Sequence, residues 1–316
     1  MGNLSRLRPA RSARRQNERA RSRNERAYRR SGRLEALVFA IPAWIVLVAV
    51  LLIPVGVVVY LSFTNSSLDS TGPLRNVGLA NYKLDVFSGT FASALWVTSL
   101  ITMLSVIIQF PIGYALAEAL HRQLRGTKIF QSILLVPMLL TPVAVGLMWR
   151  LLFDPDLGAV TWLISLVTRG PNPNFLGSQA LAVGALLFVN AWMNIPFIMI
   201  MFLAGLQGLP QEPMEAALMD GSTPLQTMIY IKLPLLAPVI WVIFLIRVIT
   251  DWKLFDIVYS LTQGGPGAST QTVSFLNYQL GFNFFLTGQA AATAVAIAVL
   301  AMPLYFAFSR VMSSRL

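Results

Sequence analysis

The sequence predicts an all-α integral membrane protein with six transmembrane helices and both termini in the cytoplasm. Three observations carry that prediction. The 316 residues are 56% hydrophobic and only 12% charged, with a mean hydropathy of +0.66. Soluble domains carry about 25% charge, and a chain of this size with half that fraction cannot cover a core with polar surface. Six stretches are long and apolar enough to cross a bilayer, and Lys and Arg are spread very unequally over the segments between them.

The spans are about residues 37–61, 93–119, 129–152, 180–206, 235–261 and 286–309. A bilayer core of about 30 Å needs roughly 20 apolar residues of helix. Continuity argues for helix over barrel, whose strands would alternate in polarity over about ten residues each. An even number of spans puts both termini on one side. With residues 1–35, the 118–132 loop, the 207–234 loop and the C-terminal end in the cytoplasm, that side holds eighteen Lys and Arg. The opposite loops (62–92, 153–179 and 262–285) hold only Arg75, Lys83 and Arg169. Positive residues mark the inside.

Of the net charge of +11, +9 sits in residues 1–35, which contain 12 Arg and 3 Glu. An arginine-rich arm can bind nucleic acid. A long apolar run follows it directly, so the preferred reading is a flexible cytoplasmic tail that orients the first span and touches anionic lipid, with no nucleic-acid partner. Residues 36–316 then form the transmembrane domain, with its core at 90–308. Met1-Gly2 opens like a myristoylation site, but Arg6 stands where Ser or Thr is wanted. The first apolar run is too long for a signal-peptide core and lacks an A-x-A site, so it is expected to stay in the protein.

Composition excludes several chemistries. The chain has no cysteine, hence no disulfide framework, thiolate cluster site or thiol nucleophile. Its one histidine, His121, lies beside Arg122 and Arg125 in the first inner loop and cannot build a His-rich metal site. Gly126-Thr127-Lys128 lacks the glycine loop that cradles phosphates, so the chain is not expected to hydrolyse nucleotides alone.

Two outer loops read as structured. Asp154-Pro155-Asp156-Leu157-Gly158 is a turn, followed by Ala159–Val167, an apolar stretch too short to cross and suited to a short interfacial helix. Gly264-Gly265-Pro266-Gly267 breaks the chain after span five. The uncharged segment that follows carries Phe275, Tyr278, Phe282, Phe284 and Phe285, which suits either the head-group belt or a protein partner.

The 207–234 loop is the most informative segment. Pro210 and Pro213 open a short helix that Gly221 closes, the favoured Pro-in, Gly-out arrangement. Ser222 or Thr223 caps a second one with Pro224 in its first turn. The first helix presents Met214, Ala217 and Leu218 on one face, with Glu215 and Asp220 elsewhere. An ordinary connector explains neither its length nor that apolar face.

Glu215-Ala216-Ala217, then Gly221, nine further residues, and Ile231-x-Leu233-Pro234 make seven matching positions across twenty residues. This resembles the EAA loop of the permease subunits of ABC importers. Trp192, Leu203-Ala204-Gly205-Leu206-Gln207, Phe255–Pro266 and Gly78-Leu79-Ala80-Asn81-Tyr82 are similar to the carbohydrate-uptake branch of maltose- and glycerol-phosphate-type permeases. The resemblance covers about residues 37–310 and leaves out the Arg-rich tail. It implies a type I importer fold in a bacterial cytoplasmic membrane and a transport subunit rather than an enzyme. The implied partners are a second homologous permease, two ATPase subunits that hold ATP and Mg, an extracytoplasmic solute-binding protein and a sugar. This chain itself would hold no cofactor. The implied coupling residues are Met214, Glu215, Ala216, Ala217, Leu218, Asp220, Gly221 and Pro234, on a helix seated in a groove of the ATPase subunit.

Ionisable residues inside a membrane are functional candidates because each is costly there. Arg247 lies about 18 Å into a helix starting near Leu235 and shares a face with Asp251. Two readings stand together: a self-satisfied ion pair, or the polar wall of a sugar path with Trp252 and Phe255 stacking on sugar rings. Asn190 and Asn194 flank Trp192 on span four and either bridge helices or bind ligand. Asp256 suits a structural or gating role. The competing functions are an ion-coupled secondary transporter relaying protons through Asp251 and Asp256, and an intramembrane enzyme. The former does not need the EAA spacing, and the latter has neither H-E-x-x-H nor G-x-S-x-G.

Overall fold

A computed structural model describes residues 40–69, 72–122 and 126–313, and these residues are helical apart from turns, irregular loops and one isolated bridge between Thr64 and Asn76. The Arg-rich tail at 1–35, together with Arg125 and Arg315, lies outside the described residues. The chain divides into two units, Met1–Val58 and Val59–Leu316. Helix α1, Ala40–Ser62, begins in the first. Its apolar side chains, Trp44, Ile45, Leu51, Leu52 and Ile53 among them, are exposed.

The second unit holds the remaining helices. These are α2 (Gly89–His121), α3 (Thr127–Leu139), α4 (Pro142–Leu152), α5 (Ala159–Thr168) and α6 (Gln179–Gln207). They are followed by α7 (Glu212–Met219), α8 (Pro224–Leu235), α9 (Ala237–Trp252), α10 (Val273–Tyr278) and α11 (Thr287–Ser313). Among the described residues, α1, α2 and α6 each suffice by length and composition to cross a membrane, and the bent pairs α3–α4 and α8–α9 bring the number to five.

Two of the expected spans are not continuous helices. The stretch 129–152 bends by 97° between α3 and α4, where Leu140 and Thr141 are extended ahead of Pro142. A residue before proline is driven out of the α region, and proline then starts a new helix readily. The stretch 235–261 begins after a 72° bend ahead of Pro238, and its regular helix stops at Trp252. A wide helical turn, Val258–Thr262, completes it. The apolar stretch after the Asp154 turn forms α5, as its composition suggests. Asp154 Oδ1 accepts the N–H groups of Asp156 and Leu157, both at 2.9 Å, which hold its carboxyl below the usual range. Whatever stability this turn contributes is in place above the unfolded carboxylate range and lost as pH falls through the lowered folded one.

The centre of the unit is the parallel packing of α2 on α6. The amide of Asn190 donates to Ser105 Oγ at 3.0 Å. Two turns further on, a Cβ at Gly113 would stand 2.5 Å from the Ile198 side chain, so only glycine admits this approach. Both pairs are offset by the same number of residues, which fixes the register. Apolar clusters lie on either side of the Ser105–Asn190 level. One gathers Ile101, Leu186, Val189, Ile257 and Phe275; the other gathers Tyr114, Ile198, Phe202, Leu236 and Ile243.

The Gly78–Tyr82 motif has a visible task. Buried Asn81 donates to the carbonyls of Ser62 at 2.8 Å and Thr64 at 2.9 Å, and the Tyr82 hydroxyl meets Ser62 Oγ at 2.8 Å. The Thr287 hydroxyl donates to Ser66 Oγ at 2.7 Å, which ties α11 to the same turn. Asn81→Ala leaves two carbonyls without their donor. It should cost about 1–3 kcal/mol, read as a lower Tm of the detergent-solubilised protein.

Candidate coupling and translocation sites

The 207–234 loop is a capped two-helix unit. Pro213 lies in the first turn of α7, where Glu212 and Glu215 also favour the positive end of the helix dipole. The helix ends in a Schellman arrangement: the Gly221 N–H donates to the Leu218 carbonyl at 3.1 Å and the Ser222 N–H to the Ala217 carbonyl at 3.0 Å. Gly221 has φ +74°, which a residue without Cβ adopts freely. Thr223 then caps α8 in a capping box, its N–H donating to Gln226 Oε1 at 2.8 Å while its Oγ1 accepts the Gln226 N–H at 3.3 Å. Ser222 and Thr227 hydroxyls meet at 2.8 Å behind the turn.

The apolar face differs from the expected one. Ala217 is buried against the chain, Met214 is half-buried, and the exposed apolar residues are Leu218, at 71%, and Met219, at 89%. Leu225, Ile229 and Tyr230 on α8 are exposed as well, as are Glu215, Ala216, Asp220 and Gly221. Pro234 is exposed in the last turn of α8. A cavity of about 640 Å³ separates the loop from the end of α2, lined by Glu118, His121, Met214, Leu218 and Lys232 among others. Across it Lys232 Nζ donates to Glu118 Oε1 at 2.5 Å, joining α8 to α2 over 114 residues of sequence. The sequence reading missed this pair, since each charge alone resembles an ordinary loop residue.

A second polar group lies between the two apolar clusters. Arg247 Nη2 donates to Asp251 Oδ1 at 2.5 Å, and the Asn190 amide donates to the same oxygen at 3.1 Å. Arg247 Nη1 donates to Asn194 Oδ1 at 2.6 Å, and the Asn194 amide turns back to Asn190 Oδ1 at 2.8 Å. Arg247 and Asp251 are almost fully buried within the subunit. Four of the seven residues read as a substrate path therefore form one network across α2, α6 and α9. The other three lie apart from it in their contacts. Trp192 meets Trp149 edge-on at 5.6 Å. Trp252 is half-buried, and its indole N–H has no hydrogen-bond partner among the described residues. Phe255 stacks on Tyr259 at 5.5 Å and packs on Phe275 and Tyr278 in an aromatic cluster. Asp256 is exposed beyond the end of α9. With Asp251 committed to Arg247 and Asn190, the two carboxylates form no relay, and the ion-coupled reading is unsupported.

Residues 109–314 match the family described as binding-protein-dependent transport system inner membrane component. The trehalose/maltose transport system permease protein MalF of Thermococcus litoralis is 33% identical over 233 residues, 74% of this chain and 77% of that protein. The trehalose transport system permease protein SugA of Mycobacterium tuberculosis is 31% identical over 262 residues, 83% of each. A bacterial ABC transporter involved in the import of the acidic polysaccharide alginate contains a chain with the same fold, at TM-score 0.74 and 22% identity over 88% of this chain and 96% of that one.

Proposed function

Since the chain belongs to the binding-protein-dependent transport system inner membrane component family of ABC importer permeases, and is thus a transport subunit, we propose that it forms half of the translocation pathway of a sugar importer. A second, homologous permease supplies the other half, two ATPase subunits hold ATP and Mg, and an extracytoplasmic binding protein delivers the sugar. Six spans follow when α3–α4 and α8–α9 each count as one and α11 as the last. The Lys and Arg asymmetry supports cytoplasmic termini and a cytoplasmic α7–α8 loop. Cysteines at Leu157 and Met219, both strongly exposed, test this in a chain that has no native thiol. An impermeant thiol reagent on intact cells should label the first and spare the second.

The observation that carries the coupling role is the exposed Leu218–Met219 patch, held on a helix stopped by Gly221 and braced by Glu118–Lys232. Apolar side chains on the cytoplasmic side have no lipid to enter and need a protein groove. Movement of that groove on nucleotide binding is passed through α8 to α9, and through Lys232 to α2. Helix α9 carries Arg247 and Asp251, which form the polar network with Asn190 and Asn194 of α6, the helix packed on α2, and Trp192, Trp252 and Phe255 add aromatic surface near it. The sugar is handled at this level. Reconstitution with the ATPase and binding protein tests the proposal: uptake of neutral sugars such as trehalose or maltose should require all components and ATP. Uptake by this chain alone, driven by an ion gradient, would contradict it.

A further inference from the structure

Gln109 is completely buried on α2, yet neither its amide nitrogen nor its amide oxygen has a hydrogen-bond partner among the described residues. Burying an amide without partners is costly, and such groups in native proteins meet a ligand or water. Its position says where that partner lies. Gln109 shares a face of α2 with Ser105 and Gly113, one turn from each, and those two residues pack on Asn190 and Ile198. The same register sets Gln109 level with Asn194, which accepts from Arg247.

Among the described residues, Arg247 Nε and Asp251 Oδ2 of this layer also lack partners, as does Trp252 Nε1 on the residue after Asp251. Together with Gln109 they offer both donors and acceptors, and the charges of Arg247 and Asp251 cancel. A hydroxyl both donates and accepts, so this complement suits a neutral polyhydroxy compound; a phosphate would call for donors alone. We infer that Gln109 is a further solute-binding residue, contributing an uncharged donor and acceptor that select a neutral sugar over an anionic one. The inference rests on the sugar-path reading of the Arg247–Asp251 network.

The test is uptake by proteoliposomes holding the full complex and binding protein, over neutral mono- and disaccharides, including trehalose and maltose, with sn-glycerol 3-phosphate as the anionic probe. Gln109→Leu removes both hydrogen-bonding atoms at similar volume. It should lower neutral-sugar uptake about tenfold and change the rank order among the sugars, with no fall in Tm, because a costly buried amide is gone. Gln109→Asn, which keeps the amide, should retain more uptake than Gln109→Leu and gives a second reading should the leucine variant fail to assemble. Wild-type rates and rank order in Gln109→Leu would overturn the inference. Asn194→Ala and Asp251→Asn, measured alongside, separate the two levels. If these impair uptake while Gln109→Leu does not, only the role of Gln109 falls. If all three transport normally, the sugar-path reading falls with it.

Discussion

Gly221→Val should leave the protein in the membrane while abolishing ATP-driven uptake. A Cβ at Gly221 meets no atom within 4 Å, so crowding is not the cause. The cause is the backbone: φ is +74°, and a β-branched residue there is strained by on the order of 1 kcal/mol or more. The Schellman turn relaxes, and with it the angle between α7 and α8 that presents Leu218 and Met219. Glu215→Lys should act at the same contact by reversing a charge and by losing a favourable partner for the α7 dipole. For both variants, the reconstituted complex should either lose its ATPase subunits or hydrolyse ATP without uptake. Gly221→Ala, with no β-branch, should be milder. Normal coupled transport in Gly221→Val and Glu215→Lys would reduce this loop to a connector.

The second large effect is expected at the buried pair. Removing Asp251 leaves the Arg247 guanidinium buried and uncompensated, and single truncation of such a pair typically costs about 3–5 kcal/mol. Asp251→Ala and Arg247→Ala should therefore each assemble poorly. Arg247→Met combined with Asp251→Leu removes both charges and fills the space with apolar groups. It should recover most of the stability, because the pair's attraction roughly offsets its own desolvation. It should not recover transport if these residues handle sugar. Assembly and uptake measured across this cycle divide the two roles: stability restored without uptake assigns sugar handling to the pair, whereas recovery of both leaves a structural ion pair alone.

Much of this architecture was legible in the sequence because it rests on short-range chemistry. The apolar runs, Pro213 and Gly221 at the ends of α7, Thr223 ahead of Pro224, and the Asp154 turn are local signals, and the structure has the corresponding elements. The bends at Thr141 and Ala237 were signalled too, by Pro142 and Pro238, but hydropathy averaged over twenty residues hides a break of one or two. The inward turn of Ala217 was not legible, since α7 has apolar residues on more than one side and only packing decides which is covered. The polar layer was half legible. Arg247, Asp251, Asn190 and Asn194 stand out in apolar spans, whereas Ser105 and Gln109 blend into α2. Their spacing of four residues marks one helical face, but the sequence does not say what that face meets. The Glu118–Lys232 pair joins residues too distant in sequence for any local pattern to reveal.

The most direct measurement of the coupling claim is photo-crosslinking from position 219. A photoreactive residue in place of Met219, the most exposed apolar side chain of α7 at 89%, should capture the ATPase subunit in the assembled complex, with a yield that changes when ATP binds. The same probe at Leu157, on the opposite side of the membrane in this topology, should not capture it. Capture of the ATPase from Leu157, or none from Met219 in a complex that still transports, would contradict the account.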